Sequence, residues 1–132
     1  MAKPVAAYLV VGLGSALGGA ARHGCGLLAA ALWPTAFPWM TILINVLGSC
    51  VIGLFATLTG PDGRLLVGTL GRQFVMLGLC GGYTTFSAFS LETLTLLRAG
   101  RPLAAGANVL LSLALCLIAV WLGHQAARRL NQ

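Results

Sequence analysis

Between His23 and Asp62 this chain carries no charged side chain. The same holds between Lys3 and Arg22, between Arg72 and Glu92, and between Arg101 and His124. Each run is long enough to cross a bilayer, which needs about 20 mainly apolar residues. A soluble domain cannot enclose four such runs in one core. Its charged fraction would be near ~25%, against 8% here, with 58% hydrophobic residues and a mean hydropathy of +0.94. Within lipid the backbone must satisfy its own hydrogen bonds, so apolar runs of this length become helices. The expected fold is an all-α membrane protein, a single transmembrane domain over residues 1–132 with four crossings.

The first helix is expected over about residues 5–31. Gly14 and Gly18 form G-x-x-x-G, and Ser15 and Gly19 a second small pair, spacings that let helix backbones approach closely in lipid. Arg22 reads as a helix-end cation reaching for the interface or as a residue of a polar cavity, the first being commoner. Trp33-Pro34 and Pro38-Trp39 bracket a turn at the membrane interface. A second helix is expected over 40–58, with Thr41, Asn45 and Ser49 on one face. Asn45 there is either an interhelical hydrogen-bonding group or a donor facing a permeating species. Gly60-Pro61-Asp62-Gly63 is a turn. The third helix, about 65–97, is long for one crossing. The fourth is expected over 103–125, with Asn108, Ser112 and Cys116 forming a second polar stripe.

The excess length of the third segment is explained by a break near residues 81–84. Gly78, Gly81 and Gly82 each weaken a helix by roughly 1 kcal/mol relative to Ala. Thr84, Thr85, Ser87 and Ser90 then bring hydroxyls to bilayer depth. Irregular backbone at that depth survives only when buried in protein or lining a cavity. Broken membrane helices commonly mark ion or substrate sites, since the break frees carbonyls and N–H groups. Hydroxyl and amide hydrogens suit a small anion, as do the positive edges of aromatic rings such as Phe86 and Phe89. Spacing alone would make those two rings core packing.

Other classes are poorly supported. The net charge of +6 is scattered along the chain, so it suits basic loop ends and no nucleic acid. Cys25, Cys50, Cys80 and Cys116 sit in apolar stretches without C-x-x-C and read as packing residues. His23 and Cys25 alone make a poor metal site. Nothing resembles a nucleotide loop, a nucleophile with its base or a carboxylate pair, so an enzyme is not expected. The first apolar run is too long for a cleaved signal. With four crossings, one side carries Lys3, Arg64, Arg128 and Arg129 with Arg72 nearby. The other carries Arg98 and Arg101, with Arg22 added if it sits at the helix end. This weak bias suits insertion in both orientations and an antiparallel homodimer, or one orientation with the N-terminus inside.

Gly81-Gly82-Tyr83-Thr84-Thr85-Phe86-Ser87-Ala88-Phe89-Ser90 resembles the G-G-x-T-T-F-S-T-F signature of the Fluc/CrcB fluoride channel family, with Ala88 in place of the usual Thr. The similarity extends to Gly14–Arg22, to Asn45 with Val46-Leu47-Gly48, and to Ser112 in a small-residue fourth helix. The resemblance implies a dual-topology homodimer of four-helix subunits in the bacterial inner membrane, each with a broken third helix. It implies two fluoride pores and a structural, non-transported sodium ion at the dimer centre. That sodium would be held by main-chain carbonyls of Gly81 and Thr84. The ion pathway would comprise Asn45, Phe86, Phe89, Ser112, Thr85 and Thr41. Asn108 and Cys116 depart from the Tyr and Ser that relatives carry. A thiol is a poorer donor than a hydroxyl, which affects the fourth-helix track. Two rival readings are a small drug/proton exchanger, for which Glu92 is the available carboxylate, and a non-transporting scaffold.

Overall fold

A computed structural model describes residues 2–32 and 34–132, with side chains from Val5 onward. Trp33, one of the tryptophans assigned to the first interfacial turn, lies outside the described residues. The described chain is helical, and four of its segments are long and apolar enough to cross a membrane: Val5–Leu32, Trp39–Leu58, Thr69–Arg98 and Pro102–Asn131. The first belongs to α1 (Ala2–Leu32) and the second is α2 (Trp39–Leu58). The third is composite. It comprises α3 (Thr69–Gln73), a π-helical stretch Phe74–Cys80, the turn α4 (Gly81–Tyr83) and, after two extended residues, α5 (Phe86–Arg98). The fourth is α6 (Pro102–Asn131), which begins with proline at its first turn, where the missing N–H is harmless.

Two boundaries differ from expectation. The third segment starts at Thr69 instead of Leu65, because the Leu65 N–H turns back to the Leu58 carbonyl (3.0 Å) and extends the turn after α2. The last helix continues beyond Gln125 to Asn131. Its end is tied down by Arg64, whose guanidinium donates to the Leu130 carbonyl (2.7 Å) and whose N–H donates to Asn131 Oδ1 (3.1 Å). Asn131 Nδ2 in turn donates to the Thr57 carbonyl (3.2 Å). These bonds hold the 59–64 turn and the end of α6 at one end of the bundle. Arg72 joins them, donating to both the carbonyl and the hydroxyl of Thr59. A cation at the C-terminus of α2 meets unsatisfied carbonyls and the negative end of the helix dipole. At the opposite end α5 closes through Gly100 (φ 69°), with Arg101 N–H on the Leu96 carbonyl and Gly100 N–H on the Leu97 carbonyl. This left-handed C-cap is one that glycine adopts without strain.

Packing relies on small residues. A Cβ added at Gly14 would lie 2.9 Å from the Gly78 Cα and 2.5 Å from the Phe74 carbonyl oxygen, so α1 meets the π-helical stretch backbone to backbone. Of the two small pairs on α1, Gly14 and Gly18 both form the contact, joined by Ser15 against Gly82, whereas Gly19 faces open space. The helices α2 and α6 run side by side in the same direction and make the most extensive contact of the bundle. The buried apolar core is correspondingly thin, including Ile42, Ile44, Phe89, Leu96, Ala105 and Ala119. Leu17, Leu66, Leu103, Leu110 and Leu117 are exposed. In water such a surface would be a liability. Against lipid tails it is the expected exterior.

Candidate functional site

The third segment loses its helix at Thr84 and Thr85, which are extended (φ −79°, ψ 159° and φ −152°, ψ 113°), while Gly81 and Gly82 remain helical. Glycine's low propensity therefore does not fix the point of departure; specific partners do. Thr84 closes the last turn of α4 with both its N–H (3.0 Å) and its hydroxyl (2.9 Å) on the Cys80 carbonyl. Thr85 opens α5 as its N-cap, its Oγ1 accepting from the Ala88 N–H at 3.1 Å. The Thr85 peptide is then held from α2. Its N–H donates to Asn45 Oδ1 (2.8 Å), and its carbonyl accepts from Asn45 Nδ2 (3.1 Å). The Asn45 amide thus pairs with Thr85 much as a neighbouring strand would.

These bonds decide which backbone groups stay free. In a continuous helix the Thr85 N–H would donate to Gly81, and the Ala88 N–H to Thr84. Both donors are diverted, to Asn45 and to the Thr85 hydroxyl. Among the described residues no donor meets the Gly81 or Thr84 carbonyl. Nor do the Phe86 and Ser87 N–H groups at the start of α5 meet an acceptor. The negative end of one helix and the positive end of the next therefore lie within a few residues of each other. The Gly82 carbonyl is occupied by Arg22 Nε at 3.2 Å. Arg22 is thus not at a helix end. The α1 helix runs on to Leu32, and the guanidinium reaches inward because the interrupted segment presents a carbonyl there.

A groove of about 310 Å³ runs along this interruption. It brings together Asn45, Gly81, Thr84, Thr85, Phe86, Phe89 and Ser112, from three of the four crossings. The rings of Phe86 and Phe89 lie 5.1 Å apart and tilted by 51°, Phe89 buried and Phe86 74% exposed on the subunit surface. Thr41 stands apart. One helical turn from Asn45, it donates its hydroxyl to Glu92 Oε1 (2.6 Å) and lines two other cavities with Glu92. Glu92 does not line the groove, and its Oε2 is buried without a partner among the described residues.

The hydroxyl cluster contributes fewer free hydrogens than its composition suggests. Thr84 donates to Cys80, Ser90 to Phe86 (2.9 Å) and Thr93 to Phe89 (2.7 Å), in each case to the carbonyl four residues back. Such back-bonding is the normal fate of Ser and Thr in membrane helices. Ser112 directs its hydroxyl to Asn108 Oδ1 (3.4 Å), and the fully buried Asn108 donates to Thr93 Oγ1 (2.9 Å). The uncommitted donors of the groove include the second N–H of Asn45 and the hydroxyl of Ser49. Ser49 is a lining residue that sequence reasoning left out of the site. Its signal was present, four residues after Asn45 on the same helix face. Cys80 and Met76 line the groove as well, without a sequence signal that separates them from packing residues, and Cys116 lines it beside Ser112, its neighbour in the polar stripe of the fourth helix.

Comparison with known proteins adds a family. Residues 9–124 match the family model described as CrcB-like protein, Camphor Resistance (CrcB). A protein of Opitutus terrae named fluoride-specific ion channel FluC is 57% identical over 124 residues, covering 94% of each chain. A protein of the same name from Methylocella silvestris is 55% identical over 125 residues, covering 95% of each. Another, from Rhodospirillum rubrum, is 56% identical over 126 residues, covering 95% of this chain and 97% of its own. Matched across most of its length by the family model and by these relatives, this chain belongs to the Fluc/CrcB family.

Proposed function

We propose that this protein is a passive, fluoride-selective channel, without enzymatic activity, that lets fluoride leave the cytoplasm across the bacterial inner membrane. The observation that carries the reading is the groove at the interrupted segment. It combines the uncommitted Phe86 N–H at the start of α5, the free amide hydrogen of Asn45 and the paired rings of Phe86 and Phe89. An anion stripped of water needs such donors and ring edges. A negative-inside potential favours anion exit by about 2.3 kcal/mol per 100 mV, so no further energy source is required. Relatives named as fluoride-specific ion channels support the choice of ion.

The working unit is an antiparallel homodimer in the lipid bilayer, with two pores formed along the two grooves. The exposed positions of Gly81 and Phe86 beside the groove leave room for a second copy against this face. The free Gly81 and Thr84 carbonyls fit a structural sodium ion. They are hard oxygen donors with no helical hydrogen to accept, and two copies would offer four of them. Such an ion would supply a fixed positive charge that ties the two interrupted helices together.

The exchanger reading requires Glu92 to carry the transported species, yet Glu92 lies off the groove, bonded to Thr41. Fluoride efflux from liposomes separates the two. Phe86→Ile removes a ring edge and is expected to slow efflux at least tenfold. Glu92→Gln keeps the acceptor for Thr41 and is expected to stay within about threefold of the parent. The reverse pattern, with both variants folded, would favour the exchanger.

A further inference from the structure

We propose that Asn45 is a positioning residue for the cation site. From α2, it keeps the Thr85 N–H away from the Gly81 carbonyl and so leaves that carbonyl free to bind the ion. This rests on the reading of Gly81 and Thr84 as sodium ligands and adds what makes one of those ligands available. Asn45 is forty residues from Thr85 in sequence, and its amide satisfies both polar groups of the Thr85 peptide, at 2.8 and 3.1 Å. Without it, two part-buried backbone groups would lose their partners. The nearest remedy is the ordinary helical bond from Thr85 N–H to Gly81 O, which would straighten the segment and occupy the carbonyl. Thr85 protects the second ligand in the same manner, since its hydroxyl holds the Ala88 N–H that would otherwise seek the Thr84 carbonyl. Side-chain acceptors for backbone donors thus set the two free carbonyls, and one of those acceptors belongs to another helix.

The inference separates two roles of Asn45. Its Oδ1 positions the break, whereas its second N–H stays uncommitted on a residue that lines the anion groove. Asn45→Ala removes both. Asn45→Asp keeps an acceptor for the Thr85 N–H, loses the donor side and adds a negative charge. Purified protein in detergent is titrated with sodium chloride at constant ionic strength against N-methylglucamine chloride, following thermal unfolding by tryptophan fluorescence. The parent is expected to gain stability with sodium. Asn45→Ala should need at least tenfold more sodium for the same gain, Asn45→Asp no more than the parent, and Phe86→Ile, which leaves the Asn45 amide in place, should match the parent. An Asn45→Ala midpoint equal to that of the parent would overturn the proposal. If Asn45→Ala does not fold, Asn45→Leu, which keeps the volume but offers no acceptor, decides: a parental sodium response would overturn the proposal and a tenfold weaker one supports it. A parent protein indifferent to sodium would instead remove the cation site itself, a failure visible before any variant is made.

Discussion

Liposomes containing the Asn45→Asp protein are expected to release fluoride about 100-fold more slowly than those containing the parent. The substitution leaves the volume of the side chain almost unchanged and retains an acceptor for the Thr85 N–H, now at 2.8 Å from Asn45 Oδ1. What changes is charge. An anion in the groove would pass within roughly 5 Å of the new carboxylate, and at an effective dielectric constant of about 20 the repulsion is about 3 kcal/mol. That corresponds to roughly two orders of magnitude in rate. The donor to the Thr85 carbonyl is lost too, with a net penalty of about 1 kcal/mol in stability. Efflux from this variant within a few-fold of the parent, with the protein folded, would mean that the ion does not pass along Asn45.

The second large effect concerns assembly. Gly78→Val is expected to prevent recovery of a monodisperse protein from detergent. A Cβ at this position would sit 2.9 Å from the Gly14 Cα and 3.0 Å from the Val11 carbonyl oxygen. Both neighbours are backbone of a continuous helix, so neither can swing aside. Overpacking of this kind costs about 1–3 kcal/mol or more even where side chains can adjust. Gly19→Val is the control. Gly19 belongs to the other small pair of α1, but an added Cβ there meets nothing within 4 Å. It should elute like the parent in size-exclusion chromatography. Equal behaviour of the two variants would show that α1 docks by another face than the one through Gly14.

The four segments long and apolar enough to cross a membrane were legible because charge marks their ends. Arg72 and Glu92 flank one apolar run, and Arg101 and His124 another. That the regular helix gives way within residues 78–90 was legible as well, from three glycines and four hydroxyls. The position at which the helix stops was not. Gly81 and Gly82 are the weakest helix formers of the stretch and yet stay helical, while Thr84 and Thr85 leave it. Propensity differences of about 1 kcal/mol yield to tertiary hydrogen bonds, and the bonds to Asn45 are invisible until α2 is laid against the segment. Thr41 shows the converse limit. Shared periodicity placed it with Asn45, but one helical turn of displacement brings it to Glu92 instead. Hydroxyls could be counted in the sequence, whereas their acceptors could not, and most turn out to be carbonyls of the same helix. Arg22 reaches the Gly82 carbonyl for the same reason: the partner exists only once α1 has packed beside α4.

The central claim is that this chain alone forms a pore that passes fluoride and excludes chloride. Its most direct test is ion-selective-electrode measurement of efflux from liposomes that contain only the purified protein, loaded with fluoride or with chloride and released by a potassium gradient with valinomycin. The account predicts rapid fluoride release and chloride release no faster than from protein-free liposomes. Equal release of both ions, or release of neither from folded protein, would contradict it.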